Sequence, residues 1–157
     1  MKPLLAILAA LTLTASPALI VPGERIGPAR LGSTRDELSP LLQDAHCPIR
    51  ALFHQGRTVQ LFTNCGGAWA TPGGTQVGLP LLWAVREFGQ PATTARGDAY
   101  TWPGGRTARA VWYMYPGIAL RAVVPEGEPD SAGVITCITV HRDSSPVLPV
   151  LSESCGQ

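Results

Sequence analysis

Apolar and polar positions fall into two similar stretches of this chain. In the first, Leu31-Gly32 leads into Ser33-Thr34-Arg35-Asp36-Glu37-Leu38-Ser39-Pro40-Leu41-Leu42. In the second, Val77-Gly78 leads into Leu79-Pro80-Leu81-Leu82-Trp83-Ala84-Val85-Arg86-Glu87-Phe88. Aligned without gaps, each reads as a short β-prone piece, a glycine and a helix start. Thr34 with Glu37 three residues on makes a capping box. Pro40 falls inside that first helix, which is expected to kink there or to start again at Ser39. In the second helix Pro80 occupies a first-turn position, where a proline is tolerated. Leu81, Ala84, Val85 and Phe88 follow at i, i+3, i+4 and i+7, one apolar face. Gly89 and Pro91 stop it.

Strand signals follow each helix. After the first come Ile49–His54, a Gln55-Gly56 turn and Arg57–Thr63. After the second come Ala99–Trp102, Ala108–Tyr115, a Pro116-Gly117 turn, Ile118–Val124, a polar loop and Val134–His141. Pro-Gly supplies the central pair of a type II turn. Residues 64–76, rich in Gly and Thr, connect the halves. The pattern predicts an α+β fold: two short helix-plus-antiparallel-hairpin repeats, about 26–72 and 77–142, forming an antiparallel sheet with helices on one face.

Composition supports this. Of 157 residues, 45% are hydrophobic and 15% charged, which excludes a disordered polyampholyte and a coiled coil. Seventeen Gly and fifteen Pro disfavour a helical bundle. The formal charge of +1 offers no electrostatic footprint for nucleic acid or an acidic membrane.

The N-terminus changes the picture. Met1-Lys2-Pro3 is a short basic region, Leu4 to Leu13 an apolar run, and Ser16-Pro17-Ala18 offers small residues for cleavage. Residues 1–18 are therefore expected to be a secretory signal peptide, too short for a membrane span. The first cysteine, Cys47, is too distant to be lipidated. The mature chain, 19–157, should be a single domain starting at Leu19, secreted or periplasmic. Lys2, the only lysine, leaves with the leader, and eleven Arg then balance eleven acidic residues. Partner choice must come from shape, apolar contact and local charge.

All four cysteines, Cys47, Cys65, Cys137 and Cys155, belong to the mature part. An even count in an exported chain reads as two disulfides. Four cysteines allow three pairings, and the sequence does not choose among them. The local pairs Cys47–Cys65 and Cys137–Cys155 match the half-repeats and are the working expectation. No metal-ligand spacing is present, and neither a metal nor a cofactor is expected.

The segment Ile26-Gly27-Pro28-Ala29-Arg30-Leu31-Gly32-Ser33-Thr34-Arg35-Asp36-Glu37-Leu38 resembles the "lG-x-s-x-x-e-v" opening of small exported bacterial domains. These are the outer-membrane assembly lipoproteins of the SmpA/OmlA type and the β-lactamase-inhibitory-protein-like domains. Phe88-Gly89-Gln90-Pro91 is similar to the "lG-x-P" closing the helix there. Tyr115-Pro116-Gly117-Ile118 and the strand Val134 to Val140 also match, so the likeness covers roughly 26–142. It implies α+β units that bind other proteins. The chain departs from the lipoproteins in lacking a lipidated cysteine, and it has Gln43-Asp44-Ala45 where Gly-x-Pro would follow the first helix.

Candidate chemistry is sparse. Asn64-Cys65-Gly66-Gly67-Ala68-Trp69 looks loosely like a thiol-protease nucleophile, with His141 as a distant base. The second cysteine of that signature is missing, and an exported chain favours disulfide use. A serine hydrolase lacks Gly-x-Ser-x-Gly. His46 and His54 are expected to face solvent. Glu126, Glu128 and Asp130 read as a solvated hairpin tip, not a cation site.

Aromatic residues are uneven: five of ten, Tyr100, Trp102, Trp112, Tyr113 and Tyr115, fall within sixteen positions. Alternation puts Ala110, Trp112 and Met114 on one face of a strand, and Val111, Tyr113 and Tyr115 on the other. Trp112 is expected in the core beneath a helix, leaving Tyr113 and Tyr115 as an exposed pair. Tyr100, Trp102, Tyr113 and Tyr115 are then candidate anchors for an extracytoplasmic protein, with Arg106, Arg109 and Arg121 as a polar rim. The leading expectation is a non-enzymatic protein-binding module, an inhibitor or an envelope scaffold. The alternatives are a carbohydrate-binding module and a hydrolase using Cys65 and His141.

Overall fold

The computed structural model describes residues 18–101 and 104–142. The expected leader up to Pro17, Trp102 and Cys155 lie outside the described residues. The strands are β1 (Ala18–Val21), β2 (Arg25–Ile26), β3 (Ala29–Arg30), β4 (Arg50–His54), β5 (Arg57–Thr63), β6 (Trp69–Ala70), β7 (Thr93–Thr101), β8 (Thr107–Tyr115), β9 (Ile118–Pro125) and β10 (Val134–His141). The helices are α1 (Arg35–Leu42) and α2 (Leu81–Phe88), with a 3-10 turn at Asp130–Ala132. The fold is mixed α+β and mostly sheet. Six strands form an antiparallel sheet in the order β4-β5-β10-β9-β8-β7, and the short strands form β3-β2-β1-β6. In that smaller sheet β1 and β6 run parallel.

Local chemistry accounts for most of these elements. The Thr34 N–H donates to Glu37 Oε2 at 2.7 Å and the Glu37 N–H to Thr34 Oγ1 at 3.4 Å, the expected capping box. Helix α1 then runs through Pro40 as one helix, neither restarting at Ser39 nor ending there. The carbonyl that Pro40 deprives of a donor belongs to Asp36, which is exposed and open to water. Pro80 caps α2 instead of sitting within its first turn. Gly89 ends α2 at φ +81°, its N–H bonded to the Val85 carbonyl.

Two turns set the sheet register. Gln55 and Gly56 both adopt positive φ, +50° and +73°, which suits a two-residue hairpin between β4 and β5. Gly117, at φ +76°, closes the β8–β9 hairpin. Its carbonyl accepts from the N–H groups of Gly23 and His141, tying the β1–β2 turn to the large sheet. A Cβ at Gly117 would lie 2.5 Å from the Gly23 nitrogen, so only glycine fits. Strands from the two halves meet within one sheet, because β5 pairs with β10 with Ile138 opposite Thr63.

Alternation divides the large sheet between two clusters. Val111, Tyr113, Tyr115, Ile118, Leu120 and Ile138 belong to the main core, with Leu38 of α1, Leu81 and Ala84 of α2, and Ile20 and Ile26 of the small sheet. Phe62, Trp112, Ala119 and Cys137 form a second, smaller cluster. The expected opposition of Trp112 to Tyr113 and Tyr115 is therefore present, but its direction is reversed. The tyrosines lie under α2, and Trp112 belongs to the cluster that holds no helix residue. Both sets are buried: Tyr113 is 8% exposed, Tyr115 5% and Trp112 5%.

Candidate functional site

Among the described residues, Tyr113, Tyr115, Arg106, Arg109 and Arg121 do not share one surface. Tyr113 and Tyr115 are core residues, not an exposed pair. The Tyr115 ring lies 5.2 Å from that of Phe88, and its hydroxyl donates to the Gly89 carbonyl at 3.2 Å. Burial, with Tyr113 as a smaller contribution, pushes the Tyr115 hydroxyl up to about 12. Burial and then Asp130 raise Tyr113. Tyr100 pairs in register with Ala108 on the edge strand β7, and Trp102 lies outside the described residues.

The arginines are not a common rim either. Arg109 bridges inward from β8: its Nη2 donates to Asp130 Oδ1 at 2.6 Å and to the Glu128 carbonyl at 2.9 Å. It anchors the 3-10 turn, which packs beside α2. Arg121 belongs to the opposite side of the sheet, between Trp112 and Cys137 in register, and donates to Thr136 Oγ1 at 3.1 Å. Arg106 is exposed before β8.

Cys65 is bonded to Cys47, so it is not a free thiolate. The Trp69 indole N–H points at Cys47 Sγ, 3.1 Å away. His141 stands opposite Gln60 in register, and its Nδ1 is 3.0 Å from the Arg142 carbonyl. His46 and His54 are exposed, as expected. The acidic loop is used internally: the Thr107 hydroxyl donates to Glu126, and Asp130 holds Arg109.

A different group of side chains is presented outward. Leu81, Ala84, Val85 and Phe88 turn α2 toward the core, which leaves Leu82 and Trp83 of its first turn facing away, each 42% exposed. Val134, at the start of β10, is 43% exposed and stands opposite the exposed Pro80 across an isolated bridge. The two elements are stitched there by backbone bonds. The Leu81 N–H donates to the Gly133 carbonyl and the Ile135 N–H to Leu79, both at 2.8 Å, while Trp83 donates to Pro80. At Gly133 a Cβ would approach Val124 Cγ2 to 2.6 Å, so the close approach depends on glycine. Arg86, exposed one turn beyond Leu82, adds a cation. The signal for this group lay in the sequence: Leu82 and Trp83 are apolar positions off the core stripe of α2.

A second polar device supports α2 from behind. Glu87 receives the Thr71 hydroxyl at 2.5 Å, the Gly73 N–H at 2.8 Å and the Thr75 N–H at 3.2 Å. Burial raises its pKa, but these bonds, led by that of Thr71, outweigh burial and hold the carboxyl below its ordinary value.

Among the described residues no helix is long and apolar enough to cross a membrane, and no cluster of acids, histidines and cysteines could hold a metal ion. No family model, curated protein or solved structure matches this chain.

Proposed function

We propose that this chain is an exported, non-enzymatic module that binds another extracytoplasmic protein, as an inhibitor or an envelope scaffold, through the apolar group Leu82, Trp83, Pro80 and Val134. The carrying observation is the 42% exposure of Trp83, beside the equally exposed Leu82, on a helix whose Leu81, Ala84, Val85 and Phe88 pack against the core. Tryptophan is enriched among residues that dominate binding energy, and neighbouring aliphatic residues exclude water around it. The support is rigid. Backbone bonds, the Arg109–Asp130 pair and the Glu87-bound loop all hold α2 in place, so little ordering opposes binding.

Export rests on the leader-like residues 1–18, and the Cys47–Cys65 disulfide is compatible with it. On this reading the two helix-led halves are copies of one unit, with both helices shielding the same sheet face. The resemblance of residues 26–142 to small exported protein-binding domains points the same way.

The test is a pull-down from envelope and culture-fluid fractions, run beside a polysaccharide pull-down, with wild type and Trp83→Ala. Retention of an envelope protein by wild type, weakened at least tenfold in Trp83→Ala, is expected. Retention on polysaccharide alone would replace this reading with the carbohydrate-binding one. An envelope partner held equally by both chains would move the surface elsewhere.

A further inference from the structure

Two guanidinium groups arrive at one glycine from neighbouring strands. Arg57 opens β5, and Arg142 follows His141 at the end of β10. These strands pair with His141 opposite Gln60, which puts both arginines at the same end of the large sheet. Arg57 Nη1 donates to the Gly32 carbonyl at 3.2 Å. A Cβ built on Gly32 would lie 3.2 Å from Arg142 Nη2. Gly32 has φ +89°, a conformation that suits glycine, and its missing side chain leaves Arg142 room to approach. The turn itself is held firmly. The Gly32 N–H donates to the Thr58 carbonyl at 2.7 Å. The Ser33 carbonyl accepts from the Thr58 N–H at 2.9 Å and from its hydroxyl at 2.7 Å.

Both arginines are exposed, and among the described residues neither forms an ion pair with a carboxylate. Neighbouring acids are engaged elsewhere. Glu24 binds Arg30 at 2.8 Å and Arg25 at 3.6 Å, and Glu37 accepts the Thr34 N–H at 2.7 Å. Two like charges brought to one turn repel each other, and an anion between them relieves that repulsion. Each guanidinium is a rigid fork of five N–H donors, of which Gly32 uses one from Arg57. A carboxylate has two oxygens and fills a single fork. A tetrahedral oxyanion has enough oxygens to serve both.

We propose that Arg57 and Arg142 form an oxyanion site beside Gly32 that takes a phosphate group, either free or on a lipid headgroup. Arg30, held by Glu24, stands outside it. A site for one phosphate needs only local charge, so the chain's formal charge of +1 does not oppose it. The inference does not depend on the surface around Trp83.

Inorganic phosphate titrated into the isotope-labelled full chain, followed by amide NMR shifts, should give saturable changes at Gly32, Ser33 and Arg57. Sodium chloride at matched ionic strength should give none. Arg142→Gln removes a side chain that has no ion pair, so it should leave the melting curve alone and weaken phosphate binding about tenfold. Arg57→Gln should weaken it similarly, whereas Arg30→Gln should leave it within about twofold of wild type. Flotation with phosphatidylglycerol vesicles then separates the two sources. Retention that is lost in Arg142→Gln assigns a lipid headgroup, and no retention assigns a soluble phosphate. The absence of a saturable shift, an equal response to chloride, or Arg30→Gln weakened as much as Arg142→Gln would overturn the proposal.

Discussion

At the residue scale, the two faces of β8 govern what each aromatic does. Tyr115 and Trp112 are buried in different clusters, so Tyr115→Ala and Trp112→Ala should each destabilise by about 3–5 kcal/mol. Thermal melts check this, and a variant melting like wild type would refute its assignment to a core. Tyr115→Phe removes only the bond to the Gly89 carbonyl and should cost about 1 kcal/mol. The raised pKa of Tyr115 has a definite sign. The folded state keeps its proton where the unfolded chain has lost it, so this contribution is complete below about pH 10 and is lost up to about 12. Alkaline melts of wild type should fall more steeply in that window than those of Tyr115→Phe. Glu87 carries the opposite sign. Its lowered pKa gives stability that is present at neutral pH and lost as pH falls through the acidic range. Glu87→Gln should flatten that acid limb, and an unchanged limb would show that the loop at 71–75 does not depend on the carboxylate.

At the element scale, the patterns that could be read were those set by local chemistry. The i, i+3, i+4, i+7 stripe located α2, and β5 and β10 start and end where alternation placed them, because one-face burial leaves a period in the sequence. Other elements were hidden for physical reasons. The strands β1, β2, β3 and β6 are two to four residues long and are held by pairing with distant segments, so no period can show. β7 begins at Thr93, ahead of Ala99, through an edge stretch of small polar residues and a bulge between Arg96 and Ala99. The orientation of β8 was not readable, since both of its faces are apolar and alternation separates faces without naming them. The role of Arg109 was hidden because its partner, Asp130, comes from a loop that looked solvated. Two elements give direct tests. Thr34→Ala removes the cap of α1 and should cost about 1 kcal/mol. Gly117→Ala drives a methyl into the β1–β2 turn and should lower the melting temperature and speed amide exchange of Gly23; exchange and stability like wild type would show that the contact is not tight.

At the scale of the whole molecule, the backbone bonds to β10, the Arg109–Asp130 pair beside the 3-10 turn and the loop bound by Glu87 hold α2 in one place while leaving part of it uncovered. Two of the candidate anchors read from the sequence, Tyr113 and Tyr115, are core residues, and the proposal rests instead on the exposed apolar group at the start of α2. That exchange carries a clear signature. Core aromatics change stability, whereas a docking aromatic changes binding and leaves stability nearly untouched. The most direct measurement compares Trp83→Ala with wild type in both a thermal melt and the envelope pull-down. The account predicts a melting curve within about 0.5 kcal/mol of wild type and loss of the retained partner, equivalent to more than about 1 kcal/mol of binding. A Trp83→Ala chain that unfolds readily would make Trp83 a core residue, and one that keeps its partner at wild-type strength would leave the surface without a role; either result contradicts the account.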